Sequence, residues 1–109
     1  MNCIEYMHQK GFTHRDIKLE NVILDNYYNL KLIDFGLAEN LRIKQTKQSK
    51  TIGTTGYIAP EQLYNDSNEK IDLIKCEIFA MGVFLFIMVR GCSPFIEPEK
   101  TDPYYQFVI

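Results

Sequence analysis

The sequence predicts a mainly α-helical fold that carries one short β-hairpin, and two observations lead to this prediction. Residues 78–89 are twelve consecutive apolar residues, Gly82 included, which indicates a wholly buried helix because a membrane span needs about 20 residues. Residues 22–24 and 30–33 are short β-branched and apolar runs around a turn rich in Asp and Asn, a pattern typical of a hairpin. With 109 residues the chain fits at most one domain.

The shorter elements follow from local patterns. Residues 1–10 read as the end of an amphipathic helix that stops at Gly11. Residues 37–55 are polar and locally basic, which predicts a loop, and residues 60–63 begin a short helix. Gly91 ends the long apolar helix, and Asp102 opens a final segment for which we expect a helical start.

Composition excludes several classes of function. The hydrophobic content of 46% is that of a globular protein, and the net charge of −2 gives no whole-chain attraction to nucleic acid or membranes. The cysteines Cys3, Cys76 and Cys92 have no C-x-x-C spacing, which favours a reducing, intracellular and cytoplasmic location. We therefore expect no nucleic-acid partner and no membrane segment, and the sequence gives no indication of oligomeric state.

The two ends of the predicted hairpin suggest a metal site. Asn21 precedes the first strand and Asp34 follows the second, so both lie at the open end of strands about 4.8 Å apart. Amide and carboxylate oxygens suit Mg²⁺, which keeps water and substrate phosphates as its other ligands. Taken alone, the same pattern also fits an ordinary surface hairpin.

Three ordered motifs decide between these alternatives. They are His-Arg-Asp-Ile-Lys-Leu-Glu-Asn at 14–21, Asp-Phe-Gly at 34–36 and Ala-Pro-Glu at 59–61. Together they resemble the catalytic loop, the metal-binding loop and the end of the activation segment of protein kinases. The resemblance implies that residues 1–109 are a partial protein kinase domain, the truncated C-terminal lobe of a two-lobed α+β fold. No glycine-rich loop precedes the catalytic loop, so we expect the upper lobe to be missing.

The resemblance implies a role for each polar residue of the catalytic loop. Asp16 would accept the proton of the substrate hydroxyl, and Lys18 would offset the charge of the transferred phosphate. Asn21 and Asp34 would hold the Mg²⁺ ions that bridge the phosphates of ATP. Without the family, Asp16 and Lys18 would be read as a solvated salt bridge.

Two further sites follow from the same resemblance. Residues 53–61 are similar to the peptide-docking loop of Ser/Thr kinases, in which the Thr54 hydroxyl would bond Asp16 and Lys18. Ile23 would lie under the ATP adenine, with Phe84 and Met88 extending its apolar column. The family also stacks the residue at His14 beneath the one at Phe35.

The sequence departs from the family at regulatory and structural positions. Relatives usually carry Asp where Glu77 stands, and we expect the longer side chain to brace the catalytic-loop backbone poorly. In the family Glu61 is buried against an Arg that lies outside these residues. Lys50 occupies the usual phosphothreonine position, so Thr51 and then Ser49 are the predicted phosphosites.

The function predicted from these residues is that of a protein serine/threonine kinase. It would transfer the γ-phosphate of ATP to a Ser or Thr hydroxyl of a protein substrate, with Arg15 receiving the regulatory phosphate. We expect the fragment to be inactive alone. The alternatives are a non-catalytic, kinase-like binding or regulatory module and a truncated gene product.

Overall fold

The first helix places the chain at the entrance to the catalytic loop. In the computed structural model, which describes residues 2–42, 51–64 and 70–107, α1 spans Asn2–Lys10. Glu5 lies in its first turn and Lys10 in its last, which complements the helix dipole. Gly11 ends the helix with a φ of 81°, a conformation that glycine adopts without steric cost. The predicted helix and its stop are confirmed.

Two small antiparallel sheets follow. The hairpin joins β2 (Val22–Leu24) to β3 (Leu30–Leu32), with Ile23 opposite Lys31. The Asp25 carboxylate accepts hydrogen bonds from the backbone of Tyr27 and of Asn29, each at 2.9 Å, inside the turn. The hairpin is therefore confirmed, although β3 ends one residue earlier than predicted.

The second sheet is an addition to the predicted fold. It pairs β1 (Phe12–Thr13) with β4 (Glu39–Asn40) and places Thr13 opposite Glu39. Each strand has only two residues, too few for an alternating pattern to be detected in the sequence. This pairing brings β4, which follows the metal-binding loop, beside β1, which precedes the catalytic loop.

The short helix α2 spans Pro60–Leu63, as predicted. Pro60 stands in its first turn, where the missing N–H costs nothing. The Gln62 side chain accepts a hydrogen bond from the Ala59 backbone N–H at 3.4 Å.

The long helix α3 spans Leu73–Arg90 and begins earlier than the predicted start at residue 78. Its first turn is partly polar, so the apolar run alone missed it. The Asp72 side chain caps it by accepting from the backbone N–H groups of Ile74 at 3.1 Å and Lys75 at 3.3 Å. Gly91 closes it with a φ of 73°, as its predicted role as the stop requires.

The residues that the structure describes bury only one face of α3. Val83 forms a core with Phe95 and Tyr105, whose rings meet edge to face with centroids 5.2 Å apart. The opposite face is exposed at Ile78, Leu85, Phe86, Met88 and Val89. The helix is therefore not wholly buried among the residues that the structure describes, and the exposed apolar face agrees with a lower lobe that is only partly represented.

The segment after α3 is organised by one carboxylate. Asp102 accepts hydrogen bonds from the backbone N–H groups of four residues at 2.8–3.3 Å, namely Ile96, Glu97, Tyr104 and Tyr105. A single 3₁₀ turn follows at Tyr105–Phe107, so the expected helical start is present. Across the parts of the chain that the structure describes, no helix is long and apolar enough to cross a membrane.

Candidate active site

The catalytic loop begins directly after β1 with a fully buried histidine. His14 has no exposed surface, and its ring meets the Phe35 ring edge to face with centroids 5.0 Å apart. Its Nε2 lies 3.0 Å from the carbonyl oxygen of Ile33, and its Nδ1 lies 3.3 Å from the backbone nitrogen of Asp16. A neutral imidazole with its proton on Nε2 satisfies both contacts. The expected contact of His14 with Phe35 is confirmed.

Four polar side chains converge beyond this histidine. The Thr54 hydroxyl donates to Asp16 Oδ1 at 2.6 Å, and Lys18 Nζ donates to the Thr54 oxygen at 2.8 Å. Lys18 Nζ also lies 3.0 Å from Asp16 Oδ2. The Asn21 amide nitrogen donates to the same carboxylate oxygen at 3.0 Å and to the Asp16 carbonyl at 2.8 Å. The predicted hydrogen bonds of Thr54 to Asp16 and Lys18 are therefore present.

These contacts fix the charges of the cluster. Burial is the largest single influence on Asp16 and raises its pKa, but hydrogen bonds from Thr54, Lys18 and Asn21 together lower the pKa below its ordinary value. The hydrogen bond to Asp16 is the largest cause of a raised pKa at Lys18, and desolvation opposes it. At neutral pH the site therefore holds a carboxylate beside an ammonium group.

The backbone places the two candidate metal ligands at the open end of the hairpin. The Ile33 N–H donates to the Asn21 carbonyl at 2.9 Å, which places Asn21 beside the residue before Asp34. Asp34 is exposed, and its Oδ1 accepts from the Gly36 N–H at 3.1 Å.

The donor set at this end of the hairpin fits Mg²⁺. The Asn21 side-chain nitrogen donates a hydrogen bond to Asp16. The second polar atom of this amide is an oxygen, the kind of ligand that a hard cation prefers. The described residues contain no group of three or more His, Cys, Asp or Glu side chains that could hold a metal. A site built from one amide and one carboxylate is of the kind that substrate phosphates complete.

The residues of the predicted adenine platform differ in their exposure. Ile23 is 47% exposed on β2, and Met88 is 55% exposed on α3. Phe84, one turn before Met88, is half-buried. Binding of adenine by Ile23 stays a prediction.

The prediction that Glu77 braces the catalytic-loop backbone poorly is wrong. It is 3% exposed on α3, and its Oε1 accepts from the backbone N–H groups of His14 at 2.7 Å and Arg15 at 3.3 Å. Its Oε2 lies 2.5 Å from Nε2 of His8 on α1. The additional methylene lets one carboxylate reach the catalytic loop and α1 together. No local sequence pattern predicts the role of His8, because the two residues in this contact lie 69 apart in the chain.

Arg15 is held from the side of β4. Its Nε donates to the Leu37 carbonyl at 2.6 Å, and its guanidinium forms an ion pair with Glu39. The two side chains are 10% and 5% exposed. The Thr51 hydroxyl donates instead to the Gln62 carbonyl at 3.0 Å. The other candidate phosphosite, at position 49, and Lys50 lie outside the described residues.

Glu61 lacks the buried environment that it has in the family, as expected if its Arg partner lies outside these residues. It is exposed, and its Oε1 accepts from the Cys76 thiol at 3.5 Å. Burial, followed by the nearby Glu61 carboxylate, raises the pKa of Cys76 to about 12. Within the described residues Glu61 is therefore not the buried member of an ion pair.

Comparison with known proteins agrees with this geometry. Residues 1–108 match the family described as the protein kinase domain. The chain belongs to the protein kinase family.

The similar proteins include a serine/threonine-protein kinase of yeast and protein kinases of Oryza sativa and Plasmodium falciparum. The chain is 39% identical over 106 residues to CBL-interacting protein kinase 11 of Oryza sativa, covering 95% of this chain and 20% of that protein. It is 40% identical over 106 residues to calcium-dependent protein kinase 4 of Plasmodium falciparum, covering 94% and 19%. It is 36% identical over 113 residues to serine/threonine-protein kinase CHK1 of Saccharomyces cerevisiae, covering 100% and 21%. This kinase chain thus spans about a fifth of the length of these relatives.

Proposed function

We propose that this chain carries the catalytic loop of a protein serine/threonine kinase that uses ATP and Mg²⁺. In this proposal residues 1–109 form part of the C-terminal lobe of a two-lobed kinase domain. The observation that supports it best is the cluster in which Thr54, Lys18 and Asn21 all donate to the Asp16 carboxylate. This arrangement holds the carboxylate in one orientation, with a cation beside it, where a substrate hydroxyl would approach.

The reaction follows from the charges of these groups. The oxygen of a Ser or Thr hydroxyl forms a bond to the γ-phosphorus of ATP, and the bond from that phosphorus to the β-phosphate oxygen breaks to release ADP. Asp16 orients the hydroxyl and takes its proton, while Lys18 offsets negative charge on the transferred phosphoryl group. When bound, Mg²⁺ neutralises phosphate charge, and Asn21 and Asp34 are the residues that would hold it.

Thr54 gives the proposed specificity a structural basis. Its hydroxyl bridges Asp16 and Lys18, so the docking loop and the catalytic loop are held together at the point where a substrate side chain would enter. A short Ser or Thr side chain must approach this cluster closely. We therefore expect phosphorylation of Ser and Thr peptides in preference to Tyr peptides.

The test is Asp16→Asn in the shortest form of the protein that transfers phosphate, with Glu97→Gln, an exposed position that also loses one negative charge, as the control. Loss of the base and its charge should lower kcat by about 10²–10⁴-fold, whereas the control should keep wild-type activity. Equal activity of Asp16→Asn and wild type, or the absence of phosphoryl transfer in every form that contains these residues, would contradict the proposal.

A further inference from the structure

The ion pair between Arg15 and Glu39 joins the catalytic loop to the strand that follows the metal-binding loop. Arg15 has a φ of 65°, an uncommon conformation for a residue with a side chain. Its guanidinium is anchored at both ends, by the Leu37 carbonyl and by the Glu39 carboxylate. The next residue in the chain is Asp16, so the position of Arg15 decides where the proposed base lies.

The backbone of Glu39 is held by the pairing of β4 with β1. It lies on β4 opposite Thr13 of β1, and the Leu41 N–H extends the pairing by donating to the Gly11 carbonyl at 2.8 Å. The carboxylate is 5% exposed, and a buried carboxylate with a guanidinium partner is unfavourable to separate. The pair is therefore a buried link and differs from a solvent-exposed surface ion pair.

In this ion pair, Glu39 occupies the side chain of Arg15, which would otherwise receive a regulatory phosphate. A phosphate on the activation segment orders a loop by offering negative charge and acceptor oxygens to an arginine. Glu39 offers Arg15 the negative charge of a carboxylate from within the fold. Thr51 is engaged elsewhere, with the Gln62 carbonyl. In the same structure the contacts of Thr54 with Asp16 and Lys18 are complete.

We propose that Glu39 is a positioning residue that holds Arg15 and the catalytic loop in place, so that phosphoryl transfer does not require phosphorylation of the activation segment. This inference rests on the proposed kinase function for its activity readout. Its structural part, ordering of the catalytic loop by Glu39, is measurable without activity.

The structural arm compares Glu39→Gln with Glu39→Asp and with Glu97→Gln, an exposed position, by amide hydrogen exchange. Glu39→Gln keeps the shape and removes the charge, so exchange at residues 12–16 should accelerate by about tenfold or more. Glu39→Asp should restore part of the protection, and Glu97→Gln should match wild type. Unchanged exchange in Glu39→Gln would overturn the positioning role.

The activity arm uses the shortest form of the protein that transfers phosphate, before and after treatment with a protein phosphatase. Wild-type kcat should change less than about twofold on treatment, and Glu39→Gln should lose about tenfold in kcat with little change in the KM for ATP. A tenfold loss of wild-type activity after phosphatase treatment would overturn the independence from phosphorylation. If no form transfers phosphate, the proposed function fails, while hydrogen exchange still decides the role of Glu39.

Discussion

At the scale of single residues, the chemistry of the site depends on the three side chains that donate to Asp16. Without Thr54, Lys18 and Asn21, burial would raise the pKa of this carboxyl group. With them the pKa is lowered, so the ionised carboxylate stabilises the fold at pH values above its unfolded pKa of about 3.9. That contribution is lost as the pH falls through the lower pKa of the folded state.

Thr54→Val should therefore shift the acid limb of the pH profile for kcat/KM to higher pH. The substitution removes a donor at 2.6 Å from Asp16, so the pKa of the carboxyl group rises and the base is protonated sooner on acidification. Thr55→Val is the matched control, because Thr55 is exposed and matches no catalytic position. Coincident pH profiles for the two variants would show that Thr54 does not control the charge of Asp16.

Glu77 offers a second test at this scale. Shortening it in Glu77→Asp should prevent one carboxylate from reaching both His8 and the backbone of His14. Because this leaves a buried polar group without its partner, the free energy of unfolding should fall by about 1–3 kcal/mol. Urea unfolding measures the change, with the exposed Glu5→Asp on α1 as the control. Equal stability of the two variants would mean that the length of Glu77 is irrelevant.

The sequence predicts those residues of the candidate site that lie within short local motifs. Asp16, Lys18, Asn21 and Asp34 lie inside short motifs, and Thr54 lies in a docking-loop pattern, so the sequence predicts all five as site residues. His8 and Glu39 carry no motif. Their contacts depend on how α3 and β4 pack against the catalytic loop, which no local pattern reveals.

At the scale of elements, the ends of α3 matter as much as its apolar centre. The Asp72 side chain satisfies the first N–H groups, and Gly91 turns the chain out of the helix in the left-handed region. The apolar run predicts the middle of this helix and its stop. It cannot predict the first turn, because Leu73 to Glu77 mix charged and apolar residues and are defined by their cap.

Two glycine substitutions in α3 should have opposite effects on stability. Gly91→Ala should lower the free energy of unfolding by about 1 kcal/mol, since alanine is strained at a φ of 73°. Gly82→Ala should raise it by about 0.5–1 kcal/mol, because Gly82 lies inside the helix and its added Cβ meets nothing within 4 Å. Thermal unfolding of both variants measures the difference. Effects of the same sign would contradict the assigned role of Gly91.

At the scale of the whole molecule, α3 is an apolar helix with one buried and one exposed side. Val83 is 4% exposed and Val89 is 81% exposed, although both belong to the same apolar run of twelve residues. Hydrophobicity alone predicts burial of both. Which side is covered depends on the rest of the packing.

The two valines should therefore respond differently to a charge in the 109-residue polypeptide. Val89→Lys should leave the melting temperature unchanged and reduce binding of the dye ANS, because it breaks an exposed apolar patch. Val83→Lys should destabilise by about 3 kcal/mol or more, because it buries an unpaired charge. Calorimetry and dye fluorescence measure both variants, and a large loss of stability in Val89→Lys would show that this face is covered.

The brace formed by Glu77 also has a consequence for the order in which the chain folds. Asp102 collects partners only two to six residues away, so its loop closes at small cost in chain entropy. The contacts of Glu77 with His14 and His8 join residues 63 and 69 apart, and Thr54 meets Asp16 across 38. Contacts of such long range are slow to form, because closing a long loop costs chain entropy before the contact stabilises it. We therefore expect the catalytic cluster to be the last part to assemble, so that an incompletely folded chain carries no oriented base.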